Sequence, residues 1–230
     1  RTIIATAGVT LLVSAIASHI IIANHKDATG VLTVLDHIFD LSVALALTAV
    51  VICVGHGVCE RFGLQMLNPF EEIAISLFVG TGVVGLAVLF FGLVGWLRPV
   101  PISLLIAVCI FSSRRSWAKL YQLTTDGLQS LTHTRENLPA IAYLCLIMFF
   151  ILRAATPPNA ADELIYHLPV PKSFLEQGRI YPVFDNSFGN LPFLIHMIYV
   201  LCMLAGSDIA ARLFSLFLAV GTSLAIYGFC

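Results

Sequence analysis

Residues 68–99 read NPFEEIAISLFVGTGVVGLAVLFFGLVGWLRP, and this stretch decides the fold class. Asn68 is a helix-capping residue and Pro69 suits the first helical position. Glu71 puts an acid in the first turn, where it complements the positive end of the helix dipole. No charge appears from Ile73 to Leu97. About 20 apolar residues at a rise of about 1.5 Å each cross a hydrocarbon core of about 30 Å. Trp96 suits the membrane interface, and Arg98-Pro99 ends the helix. The stretch reads as a membrane-crossing helix.

The whole chain fits that reading. It has 230 residues, 59% hydrophobic and 11% charged, with a mean hydropathy of +0.95. Soluble domains are about 45–50% apolar and about 25% charged. So few charges do not cover a soluble surface, and disorder requires low hydrophobicity instead. Twelve basic and 13 acidic residues give a net charge of −1, which offers nucleic acid no basic surface. The fold class is an all-α polytopic membrane protein.

Working outward, further apolar runs cover Thr2 to Ala23, Leu41 to Val58, Val100 to Phe111, Pro139 to Leu152, Pro192 to Ala205, and Ile209 to the end. The first is too long for a signal-peptide core and reads as a retained helix. Together they predict about seven transmembrane helices. The basic cluster Arg114, Arg115, Lys119 and Arg135 orients the 112–138 segment toward the cytoplasm. Alternation then places Arg1, Arg61 and Arg212 inside. Lys26, Arg98, Arg153, Lys172 and Arg179 fall outside, a bias of seven against five. Within 113–138, Trp117, Leu120, Tyr121, Leu128 and Leu131 share a helical face, which predicts an amphipathic helix on the inner membrane surface.

Several signals carry no chemistry. Gly80-Thr81-Gly82-Val83-Val84-Gly85 matches the dinucleotide pattern GxGxxG, but it lies inside an apolar helix without a preceding strand. Its small residues serve close helix packing. The six cysteines show no paired spacing and read as packing residues. Asp36, His37 and Asp40, with His25 upstream, read as a polar, water-facing helix start, although a metal or proton site would use the same residue types. His19 and His56 read as interfacial. No metalloprotease, nucleophile-elbow or phosphate-loop motif occurs.

The segment 153–191 differs from every other loop. It is long, rich in proline and aromatics, and holds Asp162, Glu163, Glu176 and Asp185. Such a segment forms short helices along the membrane boundary. A carboxylate there can act as general base on an acceptor hydroxyl or amine, or bind a divalent cation. A neighbouring His, Lys or Arg can neutralise a leaving phosphate. Asp162, Glu163, His167, Lys172 and Arg179 supply both residue types, though no ligand set in the sequence demands a cation.

The run Asp162-Glu163-Leu164-Ile165-Tyr166-His167-Leu168-Pro169-Val170-Pro171-Lys172, followed by Gly178-Arg179-Ile180, resembles a pattern in bacterial GT-C-type membrane glycosyltransferases. These are related to lipid A aminoarabinose transferases and protein O-mannosyltransferases. Asn186-Ser187-Phe188-Gly189-Asn190-Leu191-Pro192 and Gly206-Ser207-Asp208 look like the same family. The resemblance covers residues 139–230, or 92 of 230. It implies a sugar carried on a polyprenyl phosphate, transferred to a lipid, glycan or protein acceptor at the outer face of the bacterial cytoplasmic membrane. It also implies Asp162, then Glu163, as the catalytic carboxylate. Tyr166, His167, Lys172 and Arg179 become substrate-binding residues, with phosphate contact for the last two. In the simplest members the acidic loop follows the first helix, whereas here four apolar runs precede it. The expected organisation is an amino-terminal membrane module at 1–112, a cytoplasmic linker at 113–138, and the start of a transferase core at 139–230. The core reads as truncated. A transporter would place charges or helix breaks near the bilayer midplane, and the middle of 73–97 has none. A non-catalytic scaffold would rely on packing glycines such as Gly82 and Gly85.

Overall fold

The computed structural model describes residues 31–64, 66–133, 137–184, 186–190 and 194–229. The predicted first span, with Arg1, His19, His25 and Lys26, lies outside the described residues, as do Arg135 and Asp185. Regular structure among the described residues is helical throughout. The α-helices are α1 (Val31–Arg61), α2 (Pro69–Val94), α3 (Pro99–Ser112), α4 (Ser116–His133), α5 (Asn137–Ala155), α6 (Pro169–Gln177), α7 (Leu194–Ala205) and α8 (Asp208–Phe229). A π-helix (Glu163–His167) precedes α6, and a 3-10 turn (Ser187–Asn190) follows it.

Helix α2 begins and ends as the sequence predicts. Asn68 Oδ1 accepts from the Glu71 N–H at 2.9 Å, and Pro69 is the first residue. At the other end Gly95 turns left-handed (φ 83°). Trp96 N–H then donates to Phe91 O at 2.8 Å and Gly95 N–H to Gly92 O at 3.2 Å, which closes a Schellman motif. Leu86, Phe90 and Leu93 leave an exposed apolar face one turn apart, the surface a lipid-facing helix presents.

Helices α1 and α2 touch backbone to backbone. A Cβ on Gly55 would lie 1.8 Å from Ser76 O, and one on Gly80 would lie 1.9 Å from Val51 O. The GxGxxG run is therefore a packing surface, as predicted, but not at every glycine. Gly80 meets α1 and Gly85 meets Leu194 of α7, while Gly82 has nothing within 4 Å. The main core lies between these two helices, α3, α6, α7 and α8, around Leu47, Val88, Ile102, Phe174, Met197 and Phe214.

Helices α3 and α4 form a bent pair with an angle of 72°. The amphipathic helix predicted in the linker is present, but its buried stripe is rotated. Ser116, Leu123 and Gly127 are buried and Leu120 packs on the core. Tyr121, expected on the apolar face, is 72% exposed. Helix α5 packs mainly through its last turns, where Ile151 and Ala154 meet Ala44 and Leu213.

The described residues do not confirm the predicted count of seven spans. Three described helices are long and apolar enough to cross a membrane (Val34–Arg61, Pro69–Val94, Asp208–Phe229), or four with the bent pair. The first predicted span lies outside the described residues, α5 (apolar over Ile141–Ala155) and α7 (Leu194–Ala205) are shorter apolar helices, and α7 can be placed in depth. Val51 lies over Gly80 and Gly55 over Ser76, so Gly85, where α7 starts, lies level with about Ala46. Its end, Gly206, lies against Asp40. Six residues of α1 span about 9 Å, whereas the 12 residues of α7 are about 18 Å long. It runs obliquely within one half of the bundle and does not cross. Consequently Arg212, predicted on the cytoplasmic side, lies on the same side as the 153–191 loop and bonds to it. With Arg212 moved, the tally of basic residues becomes six against six, and charge no longer orients the chain.

Two expectations follow. In a cysteine-free background, Ser207→Cys will react with a membrane-impermeant maleimide from the side that labels Asn159→Cys. Labelling only from the side of Arg114→Cys would restore α7 as a crossing. Gly80→Val will lower stability by about 1–3 kcal/mol, read as the thermal unfolding midpoint in detergent, whereas Gly82→Val will leave it near wild type.

Candidate functional site

The loop between α5 and α7 is shaped by what its prolines cannot do. In a continuing helix, Arg153 O and Ala154 O would accept from the N–H groups of residues 157 and 158. Both are proline and have none. The Arg212 guanidinium on α8 donates to both, and Arg153 O also accepts from Thr156 N–H at 3.3 Å and Thr156 Oγ1 at 2.7 Å. Nη1 donates to Ala154 O at 2.8 Å and to Thr156 O, and Nη2 donates to Arg153 O at 3.3 Å. Its Nε donates to Glu163 Oε1 at 3.3 Å.

The π-helix has a similar cause. Pro169 cannot donate to Ile165 O, and the turn opens so that Leu168 N–H reaches back to Glu163 O at 3.2 Å. Asn186 Nδ2 fills the vacancy by donating to Ile165 O at 2.6 Å. The rest of the Asn186–Asn190 motif locks the loop. Phe188 N–H donates to Asn186 Oδ1 at 3.1 Å. Gly189 is pressed on Val183, whose Cβ would lie 2.9 Å from an added Cβ. Asn190 accepts from Val183 N–H at 3.1 Å and donates to Val183 O at 2.8 Å. After α6, Gly178 (φ 68°) makes a second Schellman ending and Leu97 N–H donates to Gly178 O at 3.0 Å, which fastens the loop to the end of α2.

The structure separates the predicted site residues into groups. Asp162 is exposed at the start of the π-helix, without a capping hydrogen bond from its side chain. Glu163 is paired with Arg212 through Oε1, and its Oε2 is buried without a hydrogen-bond partner. Tyr166 stacks on Phe188 with ring centroids 5.5 Å apart. His167 Nδ1 lies 3.0 Å from Nε2 of the buried His196, so one imidazole donates to the other. Lys172 faces a cleft. Arg179 is exposed beside Gly95 at the far end of α6 and does not line that cleft. No hydrogen bond or ion pair joins Asp162 to Lys172 or Arg179 among the described residues.

The cleft has a volume of about 620 Å³ and lies between α6, the α7–α8 turn, the end of α5 and the start of α1. Leu175, Met203 and Ile209 give it apolar walls, and His37, Lys172, Ser207 and Asp208 give it polar ones. The Gly206-Ser207-Asp208 turn is built for this place. A Cβ on Gly206 would lie 2.8 Å from Asp40 Oδ1. Ser207 Oγ donates to Asp40 Oδ2 at 2.7 Å and accepts from Ile209 N–H at 3.1 Å, capping α8. Asp40 is thus buried and bonded rather than part of a water-facing helix start. His37, from the same predicted cluster, reaches the cleft. No group of three His, Cys, Asp or Glu side chains suited to a metal ion occurs among the described residues.

Arg212, His196 and the role of Asp40 escaped the sequence reading. The signal was present: an ionisable residue inside an apolar run needs a partner. A second polar cluster lies at the opposite end of the bundle. His56 Nε2 pairs with Glu72 Oε1 at 3.0 Å, His56 Nδ1 lies 3.3 Å from Ser116 Oγ, and Lys119 Nζ lies 3.5 Å from Glu72 Oε2. It ties α4 to α1 and α2, so His56 is a bridging residue and not merely interfacial.

Comparison of the chain with known family models, curated proteins and solved structures finds no match.

Ser207→Ala will remove one hydrogen bond from the buried Asp40 carboxylate and lower stability by about 1–3 kcal/mol, measured by thermal unfolding in detergent. Ser207→Thr, which keeps the hydroxyl, will restore most of the loss.

Proposed function

We propose that the protein is an integral membrane glycosyltransferase that moves a sugar from a polyprenyl-phosphate donor to an acceptor at the outer face of a bacterial cytoplasmic membrane. The observation that carries this reading is the cleft beside the acidic loop. Its apolar walls suit a lipid chain, and its polar rim holds one cation, one carboxylate, a hydroxyl and an imidazole, groups that suit a phosphate and a sugar. The reading also draws on the sequence resemblance of the same loop, which includes Lys172, Ser207 and Asp208 of the cleft.

In this mechanism the acceptor hydroxyl or amine attacks the anomeric carbon from the face opposite the phosphate. The carbon–oxygen bond to the polyprenyl phosphate breaks, and configuration inverts. Asp162, exposed at the start of the π-helix, takes the acceptor proton. Lys172 meets the negative charge that grows on the departing phosphate. Arg179 is not given that role, because it lies away from the cleft. Asp162 does not line the cleft; Arg212 ties its neighbour Glu163 to α8, one helical turn from Asp208 of the cleft.

The test is transfer from a labelled polyprenyl-phosphate sugar in proteoliposomes. Asp162→Asn will lower kcat about 100-fold or more. Lys172→Ala will raise the KM for the donor about tenfold. Membrane insertion must be equal to wild type in both. Unchanged transfer in both variants would remove the assignment, and accumulation of labelled sugar without transfer would make the protein a transporter.

A further inference from the structure

We infer that Arg212 is a positioning residue for the loop site and that it divides the labour between two adjacent carboxylates. Glu163 is the anchor that Arg212 holds, and Asp162 is the carboxylate left for the acceptor. The inference rests on the transferase reading for the task of Asp162, but its geometric part stands alone.

Four observations carry it. The Arg212 side chain is 8% exposed, so its charge is taken out of water and must be met by protein groups. All four of its acceptors fall between residues 153 and 163, on the last turn of α5 and the first turn of the loop. Two of them are carbonyls whose fourth-residue donors Pro157 and Pro158 lack, although Arg153 O also accepts from Thr156 N–H at 3.3 Å and Thr156 Oγ1 at 2.7 Å. A planar guanidinium with five N–H groups can serve these divergent acceptors at once, whereas an ammonium cannot. Glu163 is consequently committed: Oε1 faces Arg212 and Oε2 is enclosed. With one oxygen on Arg212 and the other enclosed, Glu163 presents no free oxygen to an acceptor. Asp162, one residue earlier, points into the open.

The acidic pair is therefore not a redundant pair. Release of Arg212 would free the exit of α5, the π-helix and the direction of Asp162 together. Ala155, Pro157 and Pro158 line the cleft and move with the exit of α5, whereas Lys172 and the α7–α8 turn, which form the polar rim, do not need Arg212 directly. The expected signature is a loss in turnover more than in donor affinity.

The test uses the full chain in nanodiscs, with two readouts. Amide hydrogen exchange follows residues 156–168, and steady-state transfer gives kcat and KM separately. Arg212→Ala will raise exchange in that segment, lower kcat about tenfold or more and leave the donor KM within about threefold. Glu163→Gln keeps an acceptor for Arg212 and will lose less turnover than Glu163→Ala. Asp162→Asn will lose transfer with loop exchange as in wild type. If Arg212→Ala does not insert, Arg212→Lys keeps the charge without the fork and gives the same comparison. Wild-type exchange in the Arg212 variants overturns the inference. So does a Glu163→Gln variant as inactive as Asp162→Asn, or an effect confined to KM. If the wild-type protein transfers no sugar, the transferase reading fails, and exchange alone then decides whether Arg212 anchors the loop.

Discussion

A guanidinium removed from water at the edge of a lipid bilayer has to find its hydrogen-bond partners inside the protein. Arg212 does so by collecting the carbonyls of Arg153, Ala154 and Thr156 and the carboxylate of Glu163. The same need exists on the other side of the contact. The end of α5 presents carbonyls whose helical donors two prolines lack, and Thr156 reaches that of Arg153. This mutual demand fixes the loop to α8, and α8 in turn carries the wall of the cleft. The position of the acidic turn relative to the cleft therefore follows from an unmet backbone need.

The close crossing of α1 and α2 works at the opposite extreme, with almost no polar content. In lipid there is no hydrophobic drive to bring two apolar helices together, so contact area and backbone proximity replace it. Gly55 and Gly80 let the two backbones meet and leave no room for a Cβ on either. That fixes the register of α1 on α2. The register puts Asp40 at the level where α7 ends, which is where Ser207 reaches it. A packing detail at the centre of the bundle thereby determines where a buried carboxylate caps the turn beside the cleft.

The sequence showed what is local. Asn68, Pro69 and the run to Leu97 announce α2 because caps and prolines act within one turn. The amphipathic helix in the linker was legible for the same reason. Two things were not. Helix α7 has the composition of a span, and hydropathy carries no information about tilt, so a 12-residue oblique helix and a crossing look alike. That one ambiguity inverted the side of Arg212. The rotated stripe of α4 has a related origin: Gly127 faces Phe70 and Ser116 faces His56, and such partners from distant sequence decide which face is buried. Within the site, Asp162, Glu163 and Lys172 were found by residue type. Their separation into an open carboxylate, an anchored one and a cleft cation depends on α8, about 40 residues away in sequence.

The irregular loop follows from the same shortage of water. A chain that ends one helix at Pro157 and Pro158 and opens a π-turn before Pro169 leaves carbonyls without their helical donors. In a soluble protein water would satisfy them, but at a membrane boundary side chains must. Arg212 serves the first break and Asn186 the break before Pro169. Asn190 then closes on both backbone groups of Val183, as a neighbouring strand would. The residues that carry the family resemblance after Arg179 are thus largely structural. Asn186 serves the carbonyl that the π-turn leaves without a donor, while Arg212 holds Glu163 inward and Asp162, its neighbour, stays exposed.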